Sequence, residues 1–323
     1  MTTKKKGSGF AALQRMGRSL MLPIATLPAA GLLLRLGQAD VLGADGLSKH
    51  LSWMQPVADV LAAAGGAVFD NLPLIFAVGV AVGFAKKSDG STAVAGLFGF
   101  LVFKGVLDAL AKFWGAPAGP DAKINYGVLG GIIIGITAAL LWQRFYRIKL
   151  PDWLAFFGGR SFVPIITSGA AVLIATVMGA IYPAFNWLIN EKFGGWLMHA
   201  GAHGGIGGSV AYFVYGVVNR LLIPFGLHHL WNSLPWFQLG NCQSLTKQGE
   251  TLHGDLTCFF QGTPETNAWT GNFMTGFFPI MMFALPAAAL AMWRSAYPAK
   301  KKATGALMIS VALTAFLTGV TEP

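Results

Sequence analysis

The sequence predicts an all-α polytopic membrane protein whose C-terminal half carries broken or re-entrant helices. Three observations predict this class. Of the 323 residues, 54% are hydrophobic and 11% are charged, where a soluble domain carries about 25% charged residues. The apolar residues form long runs rather than the short alternating segments of a membrane barrel. The basic residues behind the net charge of +10 lie at the ends of those runs, a pattern of membrane topology and contact with an anionic leaflet rather than of nucleic-acid binding. The 42 glycines agree with this class, because small residues let membrane helices approach closely.

Taken in order, Lys4, Lys5 and Lys6 with Arg15 and Arg18 predict a cytoplasmic start by the positive-inside rule. Residues 1–20 read as a cytoplasmic amphipathic N-terminus, Phe10 to Leu20 having interfacial spacing. No cleavable signal peptide is evident, since the first apolar run carries Pro23, Pro28 and Arg35. That run, about Met21 to Leu36, is the first expected span, followed by an outer loop from Gly37 to Gln55. The second, about Val57 to Phe84, contains a polar break at Asp70, Asn71 and Pro73 and ends inside at Lys86 and Lys87. Asp70 is expected to cap a helix there or to bond backbone freed by Pro73, the alternative being a proton relay or a ligand group.

Thr92 to Leu110 is the third span, and Tyr126 to Trp142 the fourth, ending inside at Arg144, Arg147 and Lys149. Leu150 to Arg160 reads as an amphipathic link on the cytoplasmic surface, and Phe162 to Trp187 as the fifth span. An outer segment rich in aromatics and glycine continues to His203, and the chain returns inward from about Val210. Phe273 to Trp293 is one clear span, with Arg294, Lys300, Lys301 and Lys302 expected inside. Ser233 to Asn272 must therefore supply an outward path, although it holds no run of about 20 apolar residues. Broken helices or a re-entrant hairpin would satisfy that parity. The last run, Ala306 to Val320, ends in Thr321, Glu322 and Pro323, and no internal repeat is detected.

The stretch from Arg220 to Gly240 concentrates the polar chemistry. It gathers Arg220, His228, His229, Asn232 and Gln238, and Pro224, Gly226 and Pro235 prevent one continuous helix. Such groups at membrane depth are tolerated only where they are buried in protein or line a wet cavity. The stretch is thus expected to form part of a polar substrate site in a transporter. The alternative is a kinked span whose histidines are satisfied locally.

A neutral sugar needs amide or carboxylate acceptors, imidazole or guanidinium donors, and flat aromatic walls. Trp231, Trp236 and Phe237 offer the walls, His228 and Asn232 share a helical face, and Glu322 can supply an acceptor. A metal site from His228, His229, His253 and Asp255 is not expected, since adjacent helical histidines point about 100° apart. His253-Gly254-Asp255 could serve acid–base work, but a turn is the expectation. Cys242 and Cys258 form no metal pattern and need not be bonded. No nucleotide-binding glycine loop follows a strand, and no cofactor is implied.

The segments I-P-F-G-L-H-H-L-W-N from Ile223, L-P-D-W-L-A-F-F-G-G-R-S-F-V-P-I from Leu150, G-F-F-P-I-M-M-F-A-L-P-A-A-A-L-A-M-W from Gly276 and F-L-T-G-V-T-E-P from Phe316 carry a resemblance. Together they resemble the membrane subunit (enzyme II, C domain) of the phosphoenolpyruvate-dependent sugar phosphotransferase system, over essentially the whole chain. F-F-P-I-M-M-F from Phe277 and L-H-G-D from Leu252 make it most similar to the N-acetylglucosamine branch of the glucose superfamily.

The resemblance implies a homodimer in a bacterial cytoplasmic (inner) membrane. Residues 21–199 would form a scaffold and dimerisation bundle, and residues 200–323 a sugar-binding transport domain. His228 and Glu322 match sugar-contacting positions and Arg220 a nearby basic one, while His229 matches a more variable position. The partners implied are N-acetylglucosamine or glucose, a phosphocysteine (B) domain and upstream phosphocarrier proteins. Relative to the family the chain reads as C-terminally truncated, and neither cysteine lies in a phosphocysteine loop, so it is not expected to phosphorylate sugar itself. The rival readings are a non-transporting remnant or regulatory membrane protein, and an intramembrane His/Asp hydrolase.

Overall fold

A computed structural model of the chain describes residues 16–17, 19–20, 23, 26–38, 41–114, 124–188, 192, 206–222, 228–237, 239–244, 251–263, 270–274, 276–277 and 279–318. Helix formation follows the apolar runs. Helix α1, Leu27–Leu36, opens with Pro28 in its first turn and forms the C-terminal part of the first expected span. Helices α2, Gln55–Asp70, and α3, Leu72–Phe84, meet at a bend of 57°. The predicted polar break is this bend. Pro73 sits in the first turn of α3, and Asn71 Nδ2 donates to the carbonyl of Ala67 at 2.9 Å.

Helices α4, Gly90–Trp114, α5, Gly127–Phe145, and α6, Phe162–Asn186, are long and apolar enough to cross a bilayer. With α2 and α3 as one bent span, the described residues hold up to four such crossings. Helix α5 lies against α3 through a stripe of small residues. A Cβ at Gly131 would stand 2.0 Å from the Pro73 carbonyl oxygen, and one at Gly135 2.7 Å from that of Ala77. Only glycine permits this approach. Helices α4 and α6 share a core of Phe100, Phe103, Leu107, Ala171 and Ala175. The opposite face of α6 leaves Leu173 and Val177 exposed by 70% and 59%, as suits contact with acyl chains.

The ends of α3 and α5 and the starts of α4 and α6 lie at one end of this bundle. Asp89 immediately precedes α4, its Oδ1 accepting from the Ser91 amide at 2.9 Å and the Ser91 hydroxyl at 2.6 Å. Its Oδ2 pairs with Arg160, just before α6, at 2.9 Å. Burial works against ionisation of this carboxyl, but the Ser91 bonds, Arg160 and the Thr92 amide outweigh it and hold Asp89 below the usual carboxylate range. The predicted amphipathic link is a pair of 3-10 turns, Asp152–Phe157 and Gly159–Ser161, clasped back by the Gly159 amide donating to the Ile148 carbonyl.

The C-terminal half is broken as expected, and it differs from the expectation in detail. Helix α7, Ile206–Leu222, and α8, His228–Phe237, are followed by antiparallel strands β1, Asn241–Gln243, and β2, Thr251–His253, and by helix α9, Asp255–Gln261. The fold therefore departs from all-α by a small hairpin, whose three-residue strands are too short to give a period-two signal. Cys242 and Cys258, whose pairing the sequence leaves open, are bonded to each other. Pairing of Cys242 with Leu252 turns the chain back on itself, and α9 then brings Cys258 within a Cα–Cα distance of 5.8 Å.

His253-Gly254-Asp255 is a turn, with Gly254 at φ 93°, a conformation that favours glycine. Asp255 is fully buried and accepts from the amides of Gly271 at 2.7 Å and Phe273 at 3.2 Å, which ties the start of α9 to the 271–273 segment. The span expected over Phe273 to Trp293 is also shorter than predicted. It comprises a π-helical turn, Ile280–Ala284, and helix α10, Leu285–Arg294. Pro279 and Pro286 bracket that turn, and each removes a backbone donor that a regular helix would use. Helix α11, Lys301–Thr318, packs back on α10, where Trp293 Nε1 donates to the Lys301 carbonyl at 3.1 Å.

Candidate functional site

Helix α7 turns one face inward. Gly208, Ala211, Tyr215 and Asn219 are buried, at the spacing of a single helical stripe, while Phe213 and Leu221 on the other face are 70% and 66% exposed. Helix α8 begins at His228. Its buried face carries His228 and Asn232, which are 4% and 2% exposed, one turn apart as their spacing required.

The two helices are joined by a polar junction at Asn232. Its Oδ1 accepts from the Tyr215 hydroxyl at 2.7 Å and from Nδ2 of Asn219. Asn219 Oδ1 in turn accepts from Arg220 Nη1 at 2.9 Å. Arg220 Nη2 donates to the Gly276 carbonyl at 3.4 Å, and the guanidinium lies over the Phe277 ring at 4.6 Å. Arg220 Nε is buried without a hydrogen-bond partner among the described residues. The junction thus ties α7 to α8 and to the segment entering the π-helical turn.

Aromatic rings surround it. Tyr215 stacks on Trp231 with centroids 6.2 Å apart and meets Phe273 edge-on at 5.2 Å. Phe277 packs edge-on to Trp236 at 5.7 Å, and Tyr212 to Phe273 at 5.2 Å. Trp236 also packs against the cluster of Phe76, Val128 and Ile132 from the long helices, so the site rests on the N-terminal bundle.

Of the residues singled out in the sequence, the structure brings Arg220 and Asn232 into one network through Asn219 and places His228 on the buried face beside Asn232. Trp231 and Trp236 pack against the cluster of Tyr215, Phe273 and Phe277. His229 lies on α8, its side chain outside the described set, and Gln238 and Glu322 lie outside the described residues. Tyr215 and Asn219 were missed. Their signal was a four-residue spacing leading into Arg220 on a segment that otherwise reads as apolar. Among the described residues no group of three or more His, Cys, Asp or Glu side chains could hold a metal.

An amide acceptor bonded from two sides, a guanidinium whose Nε has no partner among the described residues, and several ring faces suit a neutral, hydroxyl-bearing ligand within an apolar chain. The comparison with known proteins agrees with this class. The family model described as "Phosphotransferase system, EIIC" matches residues 17–323, and the chain belongs to that family.

Among its relatives is the N-acetylglucosamine-specific EIIC component of the phosphotransferase system of Streptomyces coelicolor, 48% identical over 99% of this chain and 74% of the relative. The N-acetylglucosamine-specific EIICB component of Bacillus subtilis is 44% identical over 96% of this chain, and the EIICBA component of Escherichia coli with the same specificity is 43% identical over 96%. The chain spans 59% of the Bacillus relative's length and 42% of the Escherichia relative's.

Proposed function

We propose that this chain is the sugar-translocating permease component of a bacterial phosphotransferase system, that its substrate is N-acetylglucosamine, and that it presents the sugar for phosphorylation by a phosphocysteine domain on another chain or segment. The names of the three relatives support the sugar, and a B domain is fused to the C component in two of them. The observation that carries the site is the junction of Arg220, Asn219 and Asn232 between broken helices, with His228 on the same buried face.

In this reading Asn232, His228 and Arg220 contact the sugar hydroxyls, with Trp231 and Trp236 against its C–H faces. His229 and Glu322 complete the ligand set, Glu322 as the acceptor opposite His228. Residues 21–199 act as the scaffold and dimerisation bundle of a homodimer, and residues 200–323 as the moving part. The N-terminus lies in the cytoplasm of a cell whose inner membrane the chain crosses. Upstream phosphocarrier proteins feed the B domain, and phosphorylation traps the sugar by charge.

Uptake of labelled N-acetylglucosamine, in cells supplied with the phosphoryl-transferring domains, tests this reading. The wild-type chain restores uptake, unlabelled N-acetylglucosamine competes better than glucose, and His228→Ala and Glu322→Gln abolish it. Undiminished uptake in both variants would refute the site assignment, and stronger competition by glucose would refute the sugar.

A further inference from the structure

One end of the helical bundle joins two features that the sugar site leaves unused. The first is charge. Lys86 and Lys87 follow α3, Arg144, Arg147 and Lys149 end α5 or follow it, and Arg160 precedes α6; all six are exposed. The ion pair from Arg160 to Asp89 and the bond from Gly159 to Ile148 hold these segments together. Against the six cations stand two carboxylates, Asp89 and Asp152, and Asp89 is already engaged by Arg160 and the start of α4.

The second feature is apolar. The 3-10 turn between the α5 and α6 clusters exposes Trp153 by 81% and Phe156 by 87%, and Phe156 packs edge-on to Phe157 with centroids 5.2 Å apart. Arg144 and Arg147 lie over the Phe145 and Tyr146 rings at 5.7 and 4.9 Å. Those contacts use the guanidinium faces and leave the N–H edges to bond an oxyanion.

We infer that this end of the bundle is a binding surface for the headgroups of anionic phospholipids in the leaflet it enters, with Trp153 and Phe156 seated in the interface and the arginines and lysines on lipid phosphates. The charge complementarity selects the ligand. An aromatic wedge without cations would sit in any bilayer, and a cationic patch without exposed rings would suit a soluble acidic partner; here both occur at one end of the bundle. Each cation held near an anionic surface strengthens binding by up to about fivefold. The inference rests on the chain being membrane-embedded, not on which sugar it carries.

The test uses the full chain reconstituted into phosphatidylcholine vesicles containing either brominated phosphatidylglycerol or brominated phosphatidylcholine, and reads tryptophan quenching. The difference between wild type and W153F isolates Trp153. The inference predicts that brominated phosphatidylglycerol quenches Trp153 at a several-fold lower mole fraction than brominated phosphatidylcholine. That preference should fall in R144Q/R147Q, fall independently in K86Q/K87Q, and weaken in high salt. Equal quenching by both lipids in wild type would overturn headgroup binding and leave only an interfacial anchor. Absence of Trp153 quenching would overturn it in favour of a surface covered by protein, such as a docked phosphoryl-transfer domain.

Discussion

A single amide oxygen holds the candidate site together. Asn232 Oδ1 answers both the Tyr215 hydroxyl and Asn219 Nδ2, and removing it leaves two buried donors with nothing to bond. Asn232→Ala is expected to lower stability by about 1–3 kcal/mol and to weaken sugar binding as well, measured by thermal unfolding with and without N-acetylglucosamine. Tyr215→Phe removes one donor and keeps the ring stacked on Trp231, so the cost should be only about 0.5–1.5 kcal/mol. If Tyr215→Phe proved as damaging as Asn232→Ala, the hydroxyl would have a role beyond this bond. The sequence made His228 and Asn232 legible, because their spacing already put them on one face. Asn219 stayed hidden, because one asparagine within V-Y-G-V-V-N-R reads as an ordinary helix end until the fold brings α8 against it.

Among the elements, the tightest joint is the crossing of α3 and α5. Gly131→Ala would drive a methyl into the Pro73 carbonyl, and backbone cannot yield as a side chain tip can. The substitution is expected to cost about 1–3 kcal/mol or more and to appear as a lowered midpoint in detergent, whereas Gly105→Ala, with open space around its Cβ, should leave the midpoint unchanged. Equal loss in both would contradict the packing.

The hairpin after α8 carries a different constraint. Its disulfide closes a separation of 16 residues, worth about 3 kcal/mol by loop-closure entropy. Reduction, or Cys242→Ser with Cys258→Ser, should speed proteolysis between β1 and β2 and leave the long helices protected. Long apolar runs and prolines predicted the helices and the break at Asn71, since both act locally. The strands and the disulfide were out of reach of such patterns, because they depend on which residues the chain brings together.

For the whole molecule, the positive-inside pattern correctly grouped Lys86, Arg144, Lys149 and Arg160, and the structure gathers these helix ends at one end of the bundle. The number of crossings was less legible. One run that hydropathy treats as continuous is bent at Asn71, and another is shortened to a helix opening with the π-helical turn of Ile280–Ala284, because hydropathy counts apolar side chains and not the backbone bonds that prolines remove. The π-helical turn follows Gly276 and Phe277, which meet Arg220 of the polar junction; irregular backbone beside a polar site is what transporters use.

The central claim is that this junction holds the sugar. Sugar-dependent thermal stability of the purified full chain tests it most directly, since a ligand that binds only the folded state raises the midpoint with concentration. The account predicts a rise with N-acetylglucosamine, a smaller rise with glucose, and none in His228→Ala even where that variant's own midpoint matches wild type. An equal rise in wild type and His228→Ala would contradict it.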